Sequence, residues 1–257
     1  MRITFTQEHF EYFLLILMRM VSFVTVAPFF GHANVPARYK VGLAACLSLI
    51  VYSLQEEQVI EYATVLDYAG LVLVESIAGI LMGMSAQICM QIISFSGQLI
   101  GMEIGLAMAN VYDPTTRQQV NVTGSLYNYF ILMLFIVSDM QYFLLSALMD
   151  SYKLIPIGGV KFEATLLGTF INFLSEYFII GFRIILPVFA VTLIMNCIMG
   201  ILTKLAPQIH MFSVGIQLKL LTGLMVLFIT IGLLPNIAGF IFDTMKQMVI
   251  STMKGMY

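Results

Sequence analysis

Apolar stretches separated by short polar breaks dominate the chain. Six are delimited by pattern: Phe10–Phe30, Val41–Leu54, Val65–Ala109, Leu126–Met149, Leu166–Thr203 and Ile209–Met248. The breaks are Gly31–Lys40 (with Pro36), Gln55–Glu61 (with three Glu), Val111–Asn121 (with Asp113-Pro114), Ser151–Glu163 (with Pro156 and Gly158-Gly159) and Lys204–Gln208 (with Pro207). A membrane-crossing helix needs about 20 apolar residues, because the hydrocarbon core is ~30 Å thick and a helix rises ~1.5 Å per residue. Val41–Leu54 falls short of that length, whereas Val65–Ala109 as one straight helix would overshoot the core roughly twofold. Such lengths predict broken or re-entrant helices, whose irregular backbone is tolerated at membrane depth only where protein or water surrounds it.

Composition settles the class. Hydrophobic residues are 60% of the 257, charged residues only 10%, and the formal net charge is −2; the mean hydropathy is +0.96. A soluble domain carries roughly 25% charged residues. This chain cannot cover a water-facing surface of its size. A soluble enzyme, a nucleic-acid binder with a basic face and a disordered protein are excluded. The expected class is an all-α integral membrane protein with broken or re-entrant helices and helical hairpins. The apolar start of the chain is interrupted by Glu8, Glu11 and Arg19 and is followed by no small-residue cleavage pattern, so it is read as a retained span rather than a signal peptide. Cys46, Cys89 and Cys197 sit in apolar runs without C-x-x-C spacing and are expected to be small buried hydrophobes.

Between Ser76 and Ala109 the apolar pattern hides a polar one. At 100° per residue, Ser76, Gly83, Gln87, Gln91, Ser94, Gln98, Gly101, Gly105 and Ala109 share one face within about 80°. Gly97, Gly101 and Gly105 repeat at four-residue steps, as do Gly79 and Gly83. Small residues at that spacing let helix backbones approach where no hydrophobic effect joins helices in lipid. The stripe suits packing within this chain, packing against other subunits, or an aqueous path. Gln87, Gln91 and Gln98 point beyond simple packing, since an unpaired amide in hydrocarbon costs several kcal/mol.

Charges inside the apolar stretches are Arg19, Glu75, Glu103, Arg183 and Lys219. Each must face protein or water, because a mid-membrane charge costs roughly 2.5–3.5 kcal/mol. Snorkelling towards a span end is expected for Arg19 and Lys219, intrachain pairing for the others. If the six stretches crossed in alternation, one side would collect Arg38, Lys40, Arg117 and Lys204 and the other Arg2, Lys153, Lys161, Lys246 and Lys254. The positive-inside rule then returns no orientation. Further on, Thr192, Asn196, Gly200 and Lys204 form a polar ridge at i+4 steps, beyond a kink expected at Pro187. Pro207 stops that helix, so the last two stretches should form a helical hairpin around it. The 19 Met suit adaptable core filling or a deformable ring around a passage.

Reaction chemistry is missing from the pattern. There is no phosphate-binding G-x-x-x-x-G-K-[ST], no G-x-G-x-x-G, no H-E-x-x-H and no G-x-S-x-G. No catalytic residue, cofactor or metal is expected.

Three stretches together resemble one family: APFFGHANVPARYKVGLA (Ala27–Ala44), GQLIGMEIGLAMANVYDPTTRQQ (Gly97–Gln119) and RIILPVFAVTLIMNCIMGILTKLAPQIHMFSVGIQLKLLTG (Arg183–Gly223). These are similar to the FliR/SctT family of type III secretion inner-membrane proteins. The resemblance implies a non-enzymatic subunit of the flagellar export gate in the bacterial inner membrane, at the flagellar basal body. It would be part of the channel for unfolded flagellar proteins. The implied partners are FliP, FliQ, FlhB and FlhA, the export substrates and membrane lipid, with no nucleic acid. It also implies a FliP-like part over 1–165 followed by a FliQ-like hairpin over 166–257, much of the assembly being raised from the bilayer plane. A pore plug is implied near 109–119, with Val111, Tyr112, Asp113, Pro114, Thr115, Thr116, Arg117 and Gln118 as gate residues. The subunit-packing residues are then Gly97, Gly101, Gly105, Gln87, Gln91 and Gln98, and the hairpin ridge is Asn196, Gly200, Lys204 and Pro207. Glu103 departs from the pattern, being acidic where a neutral amide is expected. The alternatives are an injectisome homologue and a small-solute secondary transporter.

Overall fold

A computed structural model describes residues 7–55, 62–106, 111–113, 118–120, 122–205 and 211–257. Its elements, in chain order, are α1 (Gln7–Val26), α2 (Ala37–Leu54), α3 (Val65–Ile104), β1 (Val111–Asp113), β2 (Gln118–Val120), α4 (Val122–Val137), α5 (Met140–Leu154), α6 (Ala164–Leu205), α7 (Met211–Thr230), a 3-10 turn (Ile231–Leu233) and α8 (Leu234–Lys254). Among the described residues, five helical stretches are long and apolar enough to cross a membrane, and the bent pair α4–α5 makes a sixth. The chain is an all-α integral membrane protein carrying one small β-hairpin.

Several boundaries differ from those the pattern predicts. α2 is not short, because it begins at Ala37 directly after Pro36. Arg38 and Lys40 belong to its first turn, where the backbone N–H groups lack helical partners in any case. α3 is one uninterrupted helix of 40 residues, about 60 Å long and so about twice the hydrocarbon core. It contains no Pro, and nothing in its sequence breaks the hydrogen-bond ladder. It stops at Ile104 because Gly105 takes φ +90, a left-handed turn that glycine enters without steric cost. Gly105 therefore ends the helix rather than extending the stripe, and Ala109 lies outside the described residues. The break falls instead where one span was expected: α4 ends at Val137 and α5 begins at Met140, with Asp139 between them at φ 56. α6 runs through Pro187 as one helix of 42 residues. The turn around Pro207 lies outside the described residues.

The chain divides into two compact units. Unit 1 holds Met1–Ile88, Asp139–Phe173 and Asp243–Tyr257; unit 2 holds Cys89–Ser138 and Leu174–Phe242. In unit 1, Leu15, Ile16, Met20 and Phe23 of α1 are buried, as are Met82, Leu144, Leu148, Met245 and Val249. Methionine here fills core. α1 and α3 approach at backbone distance, since a Cβ on Gly79 would collide with the Arg19 carbonyl oxygen and one on Gly83 would sit 3.0 Å from that of Phe23. The Gly79/Gly83 spacing thus serves packing inside this chain. In the turn after α1, Gly31 donates to the Ala27 carbonyl at 2.8 Å, and a Cβ there would lie 2.6 Å from the Thr25 oxygen.

Unit 2 uses the same device. A Cβ on Gly97 would lie 2.6 Å from Gly124 Cα in α4, and one on Gly223 2.5 Å from Ile104. The Phe95 ring meets those of Tyr177, Phe178 and Phe182 at 5.6–6.2 Å, and Ser96 donates to the Gly181 carbonyl at 3.2 Å. Cys89 is buried, but Cys46 and Cys197 are exposed. In a membrane chain an apolar run also faces lipid or neighbouring subunits, so apolar context does not imply burial within the chain.

Candidate functional site

The glycines and amides of α3 separate in the structure. Its inward rows are apolar or small: Ala78, Met82, Ala86 and Cys89 in unit 1 and its edge, then Ile93, Gly97, Ile100, Gly101 and Ile104 in unit 2. Gln87 and Gln98 are half-buried and Gln91 is exposed. The amide flank lies beside the row that the chain itself covers.

The charged residues resolve into two groups. In unit 1, Arg19 is fully buried and does not snorkel. Its Nε donates to Glu75 Oε2 at 2.5 Å and its Nη1 to the Ile155 carbonyl at 3.3 Å. Its guanidinium stacks 4.4 Å from the centre of the Tyr152 ring. Tyr152 in turn donates to the Ile16 carbonyl at 2.9 Å, and Glu75 Oε1 accepts from the Gly158 N–H at 2.9 Å. The carboxylate thus uses both oxygens, and α1, α3, α5 and the turn after α5 are tied to one point. Arg19 stays inside because a carboxylate, a carbonyl and an aromatic face replace the water that snorkelling would supply. Nη2 has no hydrogen-bond partner among the described residues. Sequence spacing could not place Tyr152, Ile155 or Gly158 in this knot, because they lie far along the chain from Arg19; Pro156 and the Gly158-Gly159 pair signalled only a turn.

Unit 2 carries the looser group. Lys219 Nζ of α7 lies 3.9 Å from Glu103 Oε2 of α3, both side chains about a third exposed, and the Thr192 hydroxyl of α6, shared with the Phe189 carbonyl at 3.0 Å, lies 3.3 Å from the same oxygen. Glu103 is therefore the joint acceptor for two other helices. Lys219 also pairs rather than snorkelling freely. Arg183 is exposed. On the hairpin ridge Asn196, Gly200 and Lys204 are exposed. Asn196, Gly200 and Thr203 of α6 face Gly215 and Lys219 of α7 across a cleft of about 430 Å³, and Met199 reaches within 3.0 Å of where a Gly215 Cβ would be. Pro207 lies outside the described residues.

Beyond Gly105 the chain forms a β-hairpin that the sequence pattern did not predict. β1 and β2 are antiparallel, with Val111 opposite Val120, Tyr112 opposite Gln119 and Asp113 opposite Gln118. Pro114, Thr115, Thr116 and Arg117 lie outside the described residues. The available signal was a Val-Tyr pair before Asp113-Pro114 and a second polar-apolar run after it, the composition of two short strands around a turn.

Comparison with known proteins gives this arrangement a setting. Residues 10–245 match the family model described as bacterial export proteins, family 1. The chain is 29% identical over 217 residues to the flagellar biosynthetic protein FliR of Buchnera aphidicola from Acyrthosiphon pisum, covering 84% of this chain and 83% of that one. It is 27% identical over 255 residues to FliR of Bacillus subtilis strain 168, covering 93% and 95%. FliR of Escherichia coli K12 is 27% identical over 226 residues, covering 87% and 84%. The chain belongs to the bacterial export proteins, family 1.

Proposed function

We propose that the chain is a non-catalytic subunit of the flagellar type III export gate in the bacterial inner membrane, at the base of the flagellum. The observation that carries this reading is the family match over residues 10–245, and relatives of near-full coverage bear the flagellar name, which favours the flagellar gate over an injectisome or a solute transporter. FliP and FliQ are its neighbours in the gate, and FlhB and FlhA its further partners. Residues 1–165 act as a FliP-like part and 166–257 as a FliQ-like hairpin. The amide flank of α3, with Gln87, Gln91 and Gln98, meets neighbouring subunits. The hairpin segment from Val111 to Gln118 closes the channel until an unfolded flagellar protein arrives. A backbone-paired hairpin suits a plug because its strands satisfy each other's hydrogen bonds and it moves as one piece. No residue pattern for supplying energy is found in the sequence, so the driving force comes from other components. Deleting Thr115–Gln118 tests the plug: the variant should still recover FliP and FliQ in a pull-down yet raise ion conductance across reconstituted membranes. Assembled complexes with unchanged conductance sink the plug assignment.

A further inference from the structure

One cleft takes no part in the export reading. It opens in unit 1 between the end of α2 and most of the length of α5, beside Pro156 and Tyr257, with a volume of about 810 Å³. That lies within the roughly 300–1,000 Å³ typical of small-ligand sites. Its lining mixes two chemistries: Val51, Leu54, Leu145 and Met149 are aliphatic, while Gln55, Ser146, Asp150 and Lys153 are polar. Lys153 Nζ lies 2.7 Å from Asp150 Oδ1, with side chains 79% and 55% exposed. The lining therefore presents one cation and one anion a helical turn apart. An exposed pair of this kind holds itself together only weakly, so each charge can exchange its partner for an outside one at little cost.

The level of the cleft is marked by tyrosine. Tyr12 at the start of α1 donates to Gln55 at 3.1 Å, and its ring lies 6.2 Å from that of Tyr52. Tyr62 donates to Glu11 at 2.7 Å, and Tyr68 to the Glu11 carbonyl at 2.9 Å. Tyr257 and, on the first turn of α5, Tyr142 also line the cleft, each two-thirds exposed. The beginnings of α1 and α3 and the end of α2, which supplies Gln55 to the cleft, thus gather in one tyrosine-rich layer. Tyrosine concentrates at the membrane–water interface, where span ends lie and where its ring and hydroxyl meet different media.

From these features we infer that the cleft binds a zwitterionic phospholipid with a primary amine, of the phosphatidylethanolamine type. The ammonium sits on Asp150, the phosphate on Lys153, and the first acyl carbons run along Leu54, Leu145 and Met149. Phosphatidylglycerol offers no cation to Asp150, and the quaternary amine of phosphatidylcholine offers no N–H to it. This inference depends on the chain being a membrane protein and not on its role in export.

The test uses the full chain, purified with its complex in mild nonionic detergent, and native mass spectrometry with ethanolamine, choline and glycerol phospholipids of matched acyl chains. Phosphatidylethanolamine should be retained over both others. D150N should lower its retention by roughly two- to fivefold, the range of one exposed charge contact, down to the level of phosphatidylcholine. K153Q should weaken all three lipids. Both side chains are exposed, so circular dichroism should report an unchanged fold for either variant. A photocrosslinker at position 146 should yield a lipid adduct. Equal retention of phosphatidylethanolamine and phosphatidylcholine, insensitivity to D150N, or a protein adduct at position 146 each overturns the assignment.

Discussion

Each unit holds an acidic residue of α3 against a basic residue from another helix, yet the two pairs are built for different work. Arg19–Glu75 in unit 1 is closed to solvent, with both carboxylate oxygens and the Nε and Nη1 of the guanidinium hydrogen-bonded. Glu103–Lys219 in unit 2 is longer, partly exposed and helped by a single hydroxyl. A buried pair contributes less to net stability than its attraction suggests, because both ions were taken out of water, but removing one partner strands the other. A partly exposed pair can exchange its partner for water or for a neighbouring chain. The comparison assigns unit 1 a fixed anchor and leaves unit 2 an adjustable contact.

The sharpest way to break that contrast is Glu75→Ala. It strands Arg19 in a water-free site and should cost about 3–5 kcal/mol, read as a large fall in the thermal midpoint of the chain in detergent. The double substitution Arg19→Met with Glu75→Leu should recover much of the loss. A double variant as unstable as the single one would show that the knot supplies attraction well beyond its desolvation cost. Next in size is Gly79→Val, which drives a Cβ into the Arg19 carbonyl and should separate α1 from α3, costing about 1–3 kcal/mol as an overpacked contact; a crosslink between cysteines placed on those helices should then slow. Gln91→Phe should leave the isolated chain as stable as before, because Gln91 is exposed, but should reduce recovery of FliP and FliQ; undiminished recovery removes the amide flank from the interface. Smallest is Glu103→Gln. Loss of a partly exposed pair should cost under about 1 kcal/mol, and the wild-type excess should shrink in high salt. A loss as large as that of Glu75→Ala would erase the distinction between the two units.

Much of the fold was legible because burial in lipid leaves a coarse signature. Runs such as Leu166–Thr203 mark helices by length and apolarity alone, and α6 extends only slightly past those limits. Gly79 and Gly83 also announced a close helix contact. The β-hairpin was not legible, since strands of three residues each carry too few positions for alternation to register. The bend at Asp139 was hidden in the same way, inside one apolar stretch with a single polar pair, Ser138-Asp139. Arg19 was misjudged because its position near a span end says nothing about which distant groups fold back upon it.

By itself, the sequence determined that this is a helical membrane chain, that its charges must be matched, and that one flank of α3 is unsuited to lipid. Those conclusions follow from transfer free energies, which depend on composition and local spacing. Only the tertiary structure decided which charge meets which, that Gly105 ends α3 and that Val111 pairs with Val120. Contacts between residues far apart in the chain have no local signature, and their geometry is set by how the helices close against one another.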